Sequence, residues 1–424
     1  MRHNRTSSTM FRFRSLHLFL LFAILAWCAT APSQPSSAQQ ARVSPSVAER
    51  TKVGIDVLEQ QRFAPLRGKR VGLITNQTGV DSQGRRTIDV LARAPGVKLV
   101  ALFSPEHGIF GRADEPVADG TDAKTGLPIY SLYGATRRPT AEMLKDLDAL
   151  VFDIQDAGVR FYTYITTMAY CMEETAKRDI PFYVLDRPDP LGGKVIEGPM
   201  LDRSRTSFTG YFPLPVRYAM TIGELARMFN AENKIGADLH VVAMQDWSRR
   251  DTYDRTGMPW IPPSPNLRTV DATFLYPGIE ILQAGGISVG RGTEAPFEML
   301  GAPWIRADEL VAALTQRNIP GVRFAPAEFI PNKEIYKGLA CQGVTITIVD
   351  RDSLRSMIMG IEIADVLHRL YPERFHLAKI MELLGSQSTL DCLDRGEPPA
   401  KIVADWTGDL DKFRAMREKY LLYH

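Results

Sequence analysis

Short, uninterrupted apolar runs separated by stretches with helical spacing restrict this fold more than any other feature. Residues 70–75 (Arg-Val-Gly-Leu-Ile-Thr), 98–103, 149–154 and 181–185 each read as a strand covered on both faces. Residues 85–94, 140–147, 164–178 and 224–232 carry the spacing of helices between them, and 239–243 reads as a further strand. Strict alternation of this kind predicts a doubly wound parallel sheet with helices on both faces. A Pro-rich break, Trp260-Ile261-Pro262-Pro263-Ser264-Pro265-Asn266, then interrupts the pattern. Beyond it we expect a helix near 307–317, strands near 322–329 and 343–349, and mostly helix to the end. Residues 344–348 alternate apolar and polar with period two, unlike the runs upstream. The expected division therefore falls near 265, with an α/β domain over 51–265 and a smaller α+β domain over 266–424.

The first 38 residues belong to neither domain. Arg2, Arg5, Arg12 and Arg14 precede an apolar run over 18–27, and Ser36-Ser37-Ala38 supply a small-residue exit. That order is a secretory signal peptide, and the run is short for a membrane span of about 20 residues. Residues 39–50, mostly Gln, Ala, Ser and Pro, read as a flexible leader. Cys28 stands where a lipoprotein signal would place its lipidated cysteine, but Trp27 occupies the position of the usual small residue. The expected location is periplasmic or secreted, as a soluble protein without a membrane span after signal cleavage. Cys171, Cys341 and Cys392 remain, enough for one bridge at most, and no Cys-x-x-Cys pair suggests zinc. The net charge is only +2, and those four arginines lie opposite no acid in their segment, so the rest of the chain is slightly acidic. Nothing in that balance draws it to nucleic acid.

Ligands of such sheets sit outside the carboxyl ends of the strands. Those ends here read Asn76-Gln77-Thr78-Gly79, Ser104-Pro105-Glu106-His107-Gly108, Gln155-Asp156-Ala157-Gly158-Val159-Arg160-Phe161-Tyr162, and Asp186-Arg187-Pro188-Asp189. Amide, carboxylate, guanidinium and phenol together suit a small, hydroxyl-rich ligand. Turn chemistry alone explains Asn76, Gly79, Gly158, Pro188 and Gly192. It explains the charged pair Glu106-His107 poorly, which makes Glu106 the leading catalytic candidate. Asp153 and Asp156 straddle a strand end and could orient a substrate hydroxyl or cap the next helix. No second His lies near His107 in sequence, so neither a metal nor another cofactor is expected. Gly286-Ile287-Ser288-Val289-Gly290 matches the serine-hydrolase elbow, a pattern that requires a helix to start directly after it. Arg291, flanked by glycines, can approach an anion closely.

Several of these segments, in this order, resemble the NamZ-like exo-β-N-acetylmuramidases. The resemblance rests on Ser-Pro-Glu-His-Gly at 104–108, Phe-Asp-Ile-Gln-Asp at 152–156, Arg160-Phe161-Tyr162-Thr163-Tyr164 and Leu185-Asp186-Arg187-Pro188. It continues through Glu197-Gly198-Pro199, Pro262 to Asn266, Tyr276-Pro277-Gly278, Gly290-Arg291-Gly292-Thr293 and Pro296-Phe297, and closes on Lys419-Tyr420-Leu421-Leu422-Tyr423. It implies a Rossmann-like domain joined to a smaller one, with the active site in the cleft between them. It also implies release of terminal N-acetylmuramic acid from the non-reducing end of peptidoglycan fragments, with Glu106 as the catalytic carboxyl.

On that resemblance Glu106 is the general acid, and His107 positions it or the sugar. Asn76, Gln155, Asp156 and Tyr162 are expected to bind hydroxyl and acetamido groups, and Arg160, Arg187 or Arg291 to pair with the lactyl carboxylate. The second catalytic group is Asp153, Asp156 or the substrate's own acetamide. Tyr218-Ala219 stand where the family commonly has His-Gly, and Gln283-Ala284-Gly285-Gly286 where it has Glu-Gly-Thr-Asn. Both departures are expected to remove polar groups from substrate-facing loops. Two other classes of function remain: a serine esterase using Ser288, and a non-catalytic binder of cell-wall sugars.

Overall fold

In the computed structural model, which describes residues 50–113 and 115–424, the apolar runs form the middle of a seven-stranded sheet. Along the chain the strands are β1 (Arg70–Thr75), β2 (Lys98–Ser104), β3 (Gly120–Thr121), β4 (Pro128–Ser131), β5 (Ala149–Asp153) and β6 (Phe182–Leu185). A separate antiparallel pair follows, β7 (Glu197–Met200) and β8 (Pro215–Arg217), before β9 (Leu239–Val242) returns to the sheet. The sheet order is β3-β4-β2-β1-β5-β6-β9, parallel throughout except at the β3 edge. The chain runs outward from β1 through β2 to β4, then jumps back to place β5 on the other side of β1. That reversal is the switch point where such sheets bind ligands. The segments over 1–38 and 39–49 lie outside the described residues. No described helix is long and apolar enough to cross a membrane.

Alternate side chains of the strands enter two different cores. Val71, Leu73, Leu99, Val151, Tyr183 and Leu185 pack under α1 (Gly54–Gln60) and α2 (Thr87–Ala92). Ile74, Phe103, Leu150, Phe152, Phe182 and Val184 point to the other face. There they meet α3 (Ala141–Leu144), α4 (Tyr164–Ala176) and α5 (Ile222–Glu232). The second core continues without a break across residue 265, through Phe274, Ile281, Leu300, Val344 and Met357 to Phe413.

Beyond the Pro-rich segment, α6 (Val270–Gln283) leads to β10 (Met299–Ala302), α7 (Ala307–Gln316), β11 (Val322–Phe329), β12 (Cys341–Ile348) and α8 (Ser356–Leu370). The three strands form an antiparallel sheet in the order β10-β12-β11. The period-two pattern of β12 buries Val344 and Ile346 and turns Thr347 outward.

Sequence periodicity missed α6 because Tyr276-Pro277-Gly278 reads as a turn. Instead the helix carries Pro277 internally, and Gly278 is the contact point with α8. A Cβ on Gly278 would lie 2.0 Å from the Ser356 carbonyl oxygen, so only glycine allows this crossing. The short strands β4, β7, β8 and β10 were also illegible, since Pro and Gly within or beside them imitate loops. At the end of the chain, the Tyr423 hydroxyl donates to Asp186 at 2.5 Å and the Leu422 amide to Glu224 at 2.9 Å. The closing segment is thereby tied to the carboxyl end of β6.

Candidate active site

Glu106 and His107 follow β2 and line a cavity of about 200 Å³. Phe161, Tyr162 and Thr163, from the loop between β5 and α4, form its neighbouring wall. Ser264 comes from the Pro-rich segment, Tyr276 and Glu280 from α6, and Arg291 and Phe297 from the loop before β10. Glu334, between β11 and β12, and Leu383, on α9 (Met381–Leu384), complete the far side. The cavity is therefore built from both halves of the chain.

Glu106 accepts a hydrogen bond from the Thr163 hydroxyl, which aims one carboxylate oxygen. His107 Nδ1 stands 2.6 Å from the Ala113 carbonyl oxygen; such a contact has Nδ1–H as donor and fixes the ring. Glu280 takes a hydrogen bond from Arg291 at 2.5 Å through one oxygen, while its other oxygen is buried with no partner among the described residues. Arg291 Nε is likewise buried and unpartnered, and its guanidinium lies 5.2 Å from the Phe297 ring centre. Burial pushes the Glu280 carboxyl up, and Arg291 opposes that push. The Tyr162 hydroxyl lies beside Ser264 yet makes no bond of full geometry, and burial pushes it well up. Buried polar atoms left open around a cavity are what a bound polar ligand satisfies. His107, Phe297 and Glu334 hold left-handed backbone, with φ of 68°, 67° and 62°. Strain of this kind, about 1–3 kcal/mol per residue, gathers at functional sites.

Of the residues singled out from sequence, the cavity brings together Glu106, His107, Tyr162 and Arg291. The other six are held in the scaffold behind it. Arg160 is 1% exposed and donates to four carbonyl oxygens: Pro199 and Leu214 at 3.0 Å, Leu383 at 2.7 Å and Leu384 at 2.8 Å. Arg187 grips Asp153 at 2.6 and 2.9 Å, and Thr87 donates to the same carboxylate, so neither ion is open to substrate. Asp156 accepts from the Tyr218 hydroxyl and the Gly158 amide, and burial pushes it up to about 6. Gln155 donates to the Asp156 and Pro188 carbonyls. Asn76 donates to the Tyr164 hydroxyl at 3.0 Å, which donates in turn to Pro263 at 2.6 Å. Together with Gln77, bonded to Pro262 at 2.8 Å, Asn76 holds the loop that delivers Ser264. Ser288 is 1% exposed and bridged to Gly301, and no helix begins after Gly290, so the esterase geometry is absent.

Comparison with known proteins decides the family. The model described as the N-terminal part of the exo-β-N-acetylmuramidase NamZ matches residues 71–271, and the C-terminal part matches 274–423. The chain belongs to the NamZ exo-β-N-acetylmuramidase family, a family of glycoside hydrolases. The peptidoglycan β-N-acetylmuramidase NamZ of Bacillus subtilis is 43% identical over 416 residues, 97% of this chain and the whole of that protein. Two solved DUF1343 family proteins from Bacteroides fragilis share the fold. Their TM-scores are 0.82 at 42% identity and 0.70 at 30%, each over 88% of this chain and 99% of the other.

The two departures from the NamZ pattern fall away from the cavity wall. Tyr218 is fully buried, with its hydroxyl on Asp156, and Ala219 adopts φ 54°, a conformation that glycine takes without strain. Neither Tyr218-Ala219 nor the 283–286 segment lines the cavity. Glu280 was missed in sequence, although a lone acid inside Ile279-Glu280-Ile281-Leu282 was a legible signal. Thr163, Tyr276 and Phe297 lay within quoted motifs, but nothing local gave them a role. Ser264 lay in the quoted 262–266 segment without a role of its own, and Glu334 and Leu383 carried no local signal at all.

Proposed function

We propose that this chain is an exported, exo-acting hydrolase that releases terminal N-acetylmuramic acid from the non-reducing end of peptidoglycan fragments. The observation that carries this reading is the meeting of Glu106 with two further carboxylates, Glu280 and Glu334, in one small cavity. Glycoside hydrolysis needs an acid at the departing oxygen and a second group across the sugar, either a carboxylate or the substrate's own acetamide. Glu106, aimed by Thr163, is the acid. Asp153 is locked to Arg187 and Asp156 does not line the cavity; of Glu280 and Glu334 we assign the second role to Glu280, whose free oxygen is buried and whose ionised form Arg291 favours. Tyr162 and Ser264 offer hydroxyls to the sugar, and Tyr276 and Phe297 give it apolar faces.

Incubation with a chromogenic N-acetylmuramic acid glycoside, beside its glucosamine counterpart, tests the reading. We expect aglycone release from the first and far less from the second. A folded protein that releases none from either is a binder, and the hydrolase reading fails. Export is tested separately by mass spectrometry of the mature amino terminus. Processing after about Ala38 supports it, a retained Met1 defeats it, and a diacylated Cys28 replaces the soluble form with a lipoprotein.

A further inference from the structure

A cavity of about 200 Å³ lies below the roughly 300 Å³ at which pockets for drug-sized ligands begin. It takes the end unit of a glycan, and the rest of the chain must lie on the surface next to Glu106. Two half-buried rings border that surface. The Tyr133 phenol sits against Glu106, whose charge, after burial, pushes it up. Phe208 immediately precedes Thr209, which lines the cavity. The two rings stack, with centres 6.1 Å apart and planes 26° from parallel. Exposed Arg137 lies over both, 4.2 Å from the Phe208 centre and 5.8 Å from that of Tyr133.

Among the described residues no carboxylate pairs with Arg137, whereas adjacent Arg138 is paired with Glu173 and Glu174. A guanidinium held against aromatic rings keeps its in-plane N–H donors for an anion. The other arginines considered for that task are engaged: Arg160 on carbonyls, Arg187 on Asp153, Arg291 on Glu280. Whatever touches the general acid from outside the cavity lies on the side of the departing group.

We infer that Tyr133, Phe208 and Arg137 form a subsite for the departing glycan, in which Arg137 pairs with a carboxylate carried beyond the scissile bond. This rests on the muramidase reading above. In an alternating glycan the first departing sugar is a neutral glucosamine unit. The second is a muramic unit, and it brings the carboxylate to Arg137.

The experiment compares kcat/KM for an aryl N-acetylmuraminide, the muramyl-glucosamine disaccharide, the corresponding tetrasaccharide, and that tetrasaccharide with its lactyl carboxyls methylated. The wild-type protein should favour the tetrasaccharide over the disaccharide, and methylation or added salt should erase the preference. Arg137→Ala should lower the tetrasaccharide-to-aryl-glycoside ratio by about 10- to 100-fold, the loss of one charge-assisted contact. Arg137→Lys should restore part of it. An unchanged ratio in Arg137→Ala, or a wild-type protein indifferent to methylation, overturns the subsite. If the wild-type protein cleaves no muraminide at all, the muramidase reading fails instead. Tetrasaccharide binding by calorimetry then decides the subsite on its own: it survives if Arg137→Ala weakens binding and falls if it does not.

Discussion

Replacing Arg160 separates a scaffold role from a substrate role most directly. Its guanidinium joins β7 and the residue before β8 to α9 through four carbonyl oxygens, and one of those, on Leu383, belongs to a residue of the cavity wall. A hydrogen bond from a charged group contributes about 1.5–3 kcal/mol, but the four share one ion and do not add fully. Arg160→Met fills much of the volume and leaves the carbonyls without their donor. We expect a loss of about 4 kcal/mol. For about 375 folded residues, at about 2.1 cal/mol/K of unfolding entropy each, that lowers Tm by about 5 °C. Scanning calorimetry gives Tm, and steady-state hydrolysis of the chromogenic muraminide gives kcat and KM. The scaffold role predicts a lower Tm with KM nearly unchanged in the folded fraction. A variant with wild-type Tm and KM raised tenfold would show that Arg160 reads the substrate after all.

The other predictions concern chemistry and charge. Glu106→Gln keeps the shape and the bond from Thr163 but removes the transferable proton, so kcat on the natural disaccharide should fall about 10²- to 10⁴-fold. Aryl glycosides with acidic leaving groups should lose less, and a folded variant with near-normal kcat on disaccharide removes Glu106 from the mechanism. Arg291→Ala strands the buried Glu280 charge and should cost about 3–5 kcal/mol; adding Glu280→Gln should recover most of the Tm while turnover stays low. If the single variant melts like wild type and loses only muramic acid substrates, Arg291 is a recognition residue rather than half of a structural pair. Burial pushes Asp156 up to about 6 and Asp186 and Asp189 up to about 7, from an ordinary 3.8. The folded protein therefore holds more protons than the unfolded chain between those values. Their contribution to stability is full below about pH 4 and lost as pH rises to about 7. Tm should fall across that window and fall less in Asp186→Asn; a Tm that climbs steadily from pH 4 to 7 contradicts this.

What the chain alone determined is whatever depends on neighbours in sequence. Continuous apolar runs cannot leave a parallel sheet with both faces covered, so the strands, their alternation with helices and the polar ends of β1, β2, β5 and β6 were legible. The place of Glu106 at the cavity was legible for the same reason, as a charge on a tight turn at the end of a buried strand that turn chemistry does not explain. The tertiary structure alone decided which polar residues line the cavity. Arg160 and Arg291 look alike in sequence, each in a Gly-bearing loop rich in polar groups. One finds its partners on Leu383 and Leu384, more than 200 positions away, and the other finds Glu280 on a helix hidden by Pro277. A buried ion takes whatever partner the fold brings near, because leaving it unpaired costs several kcal/mol, and that partner is set by packing rather than by spacing along the chain.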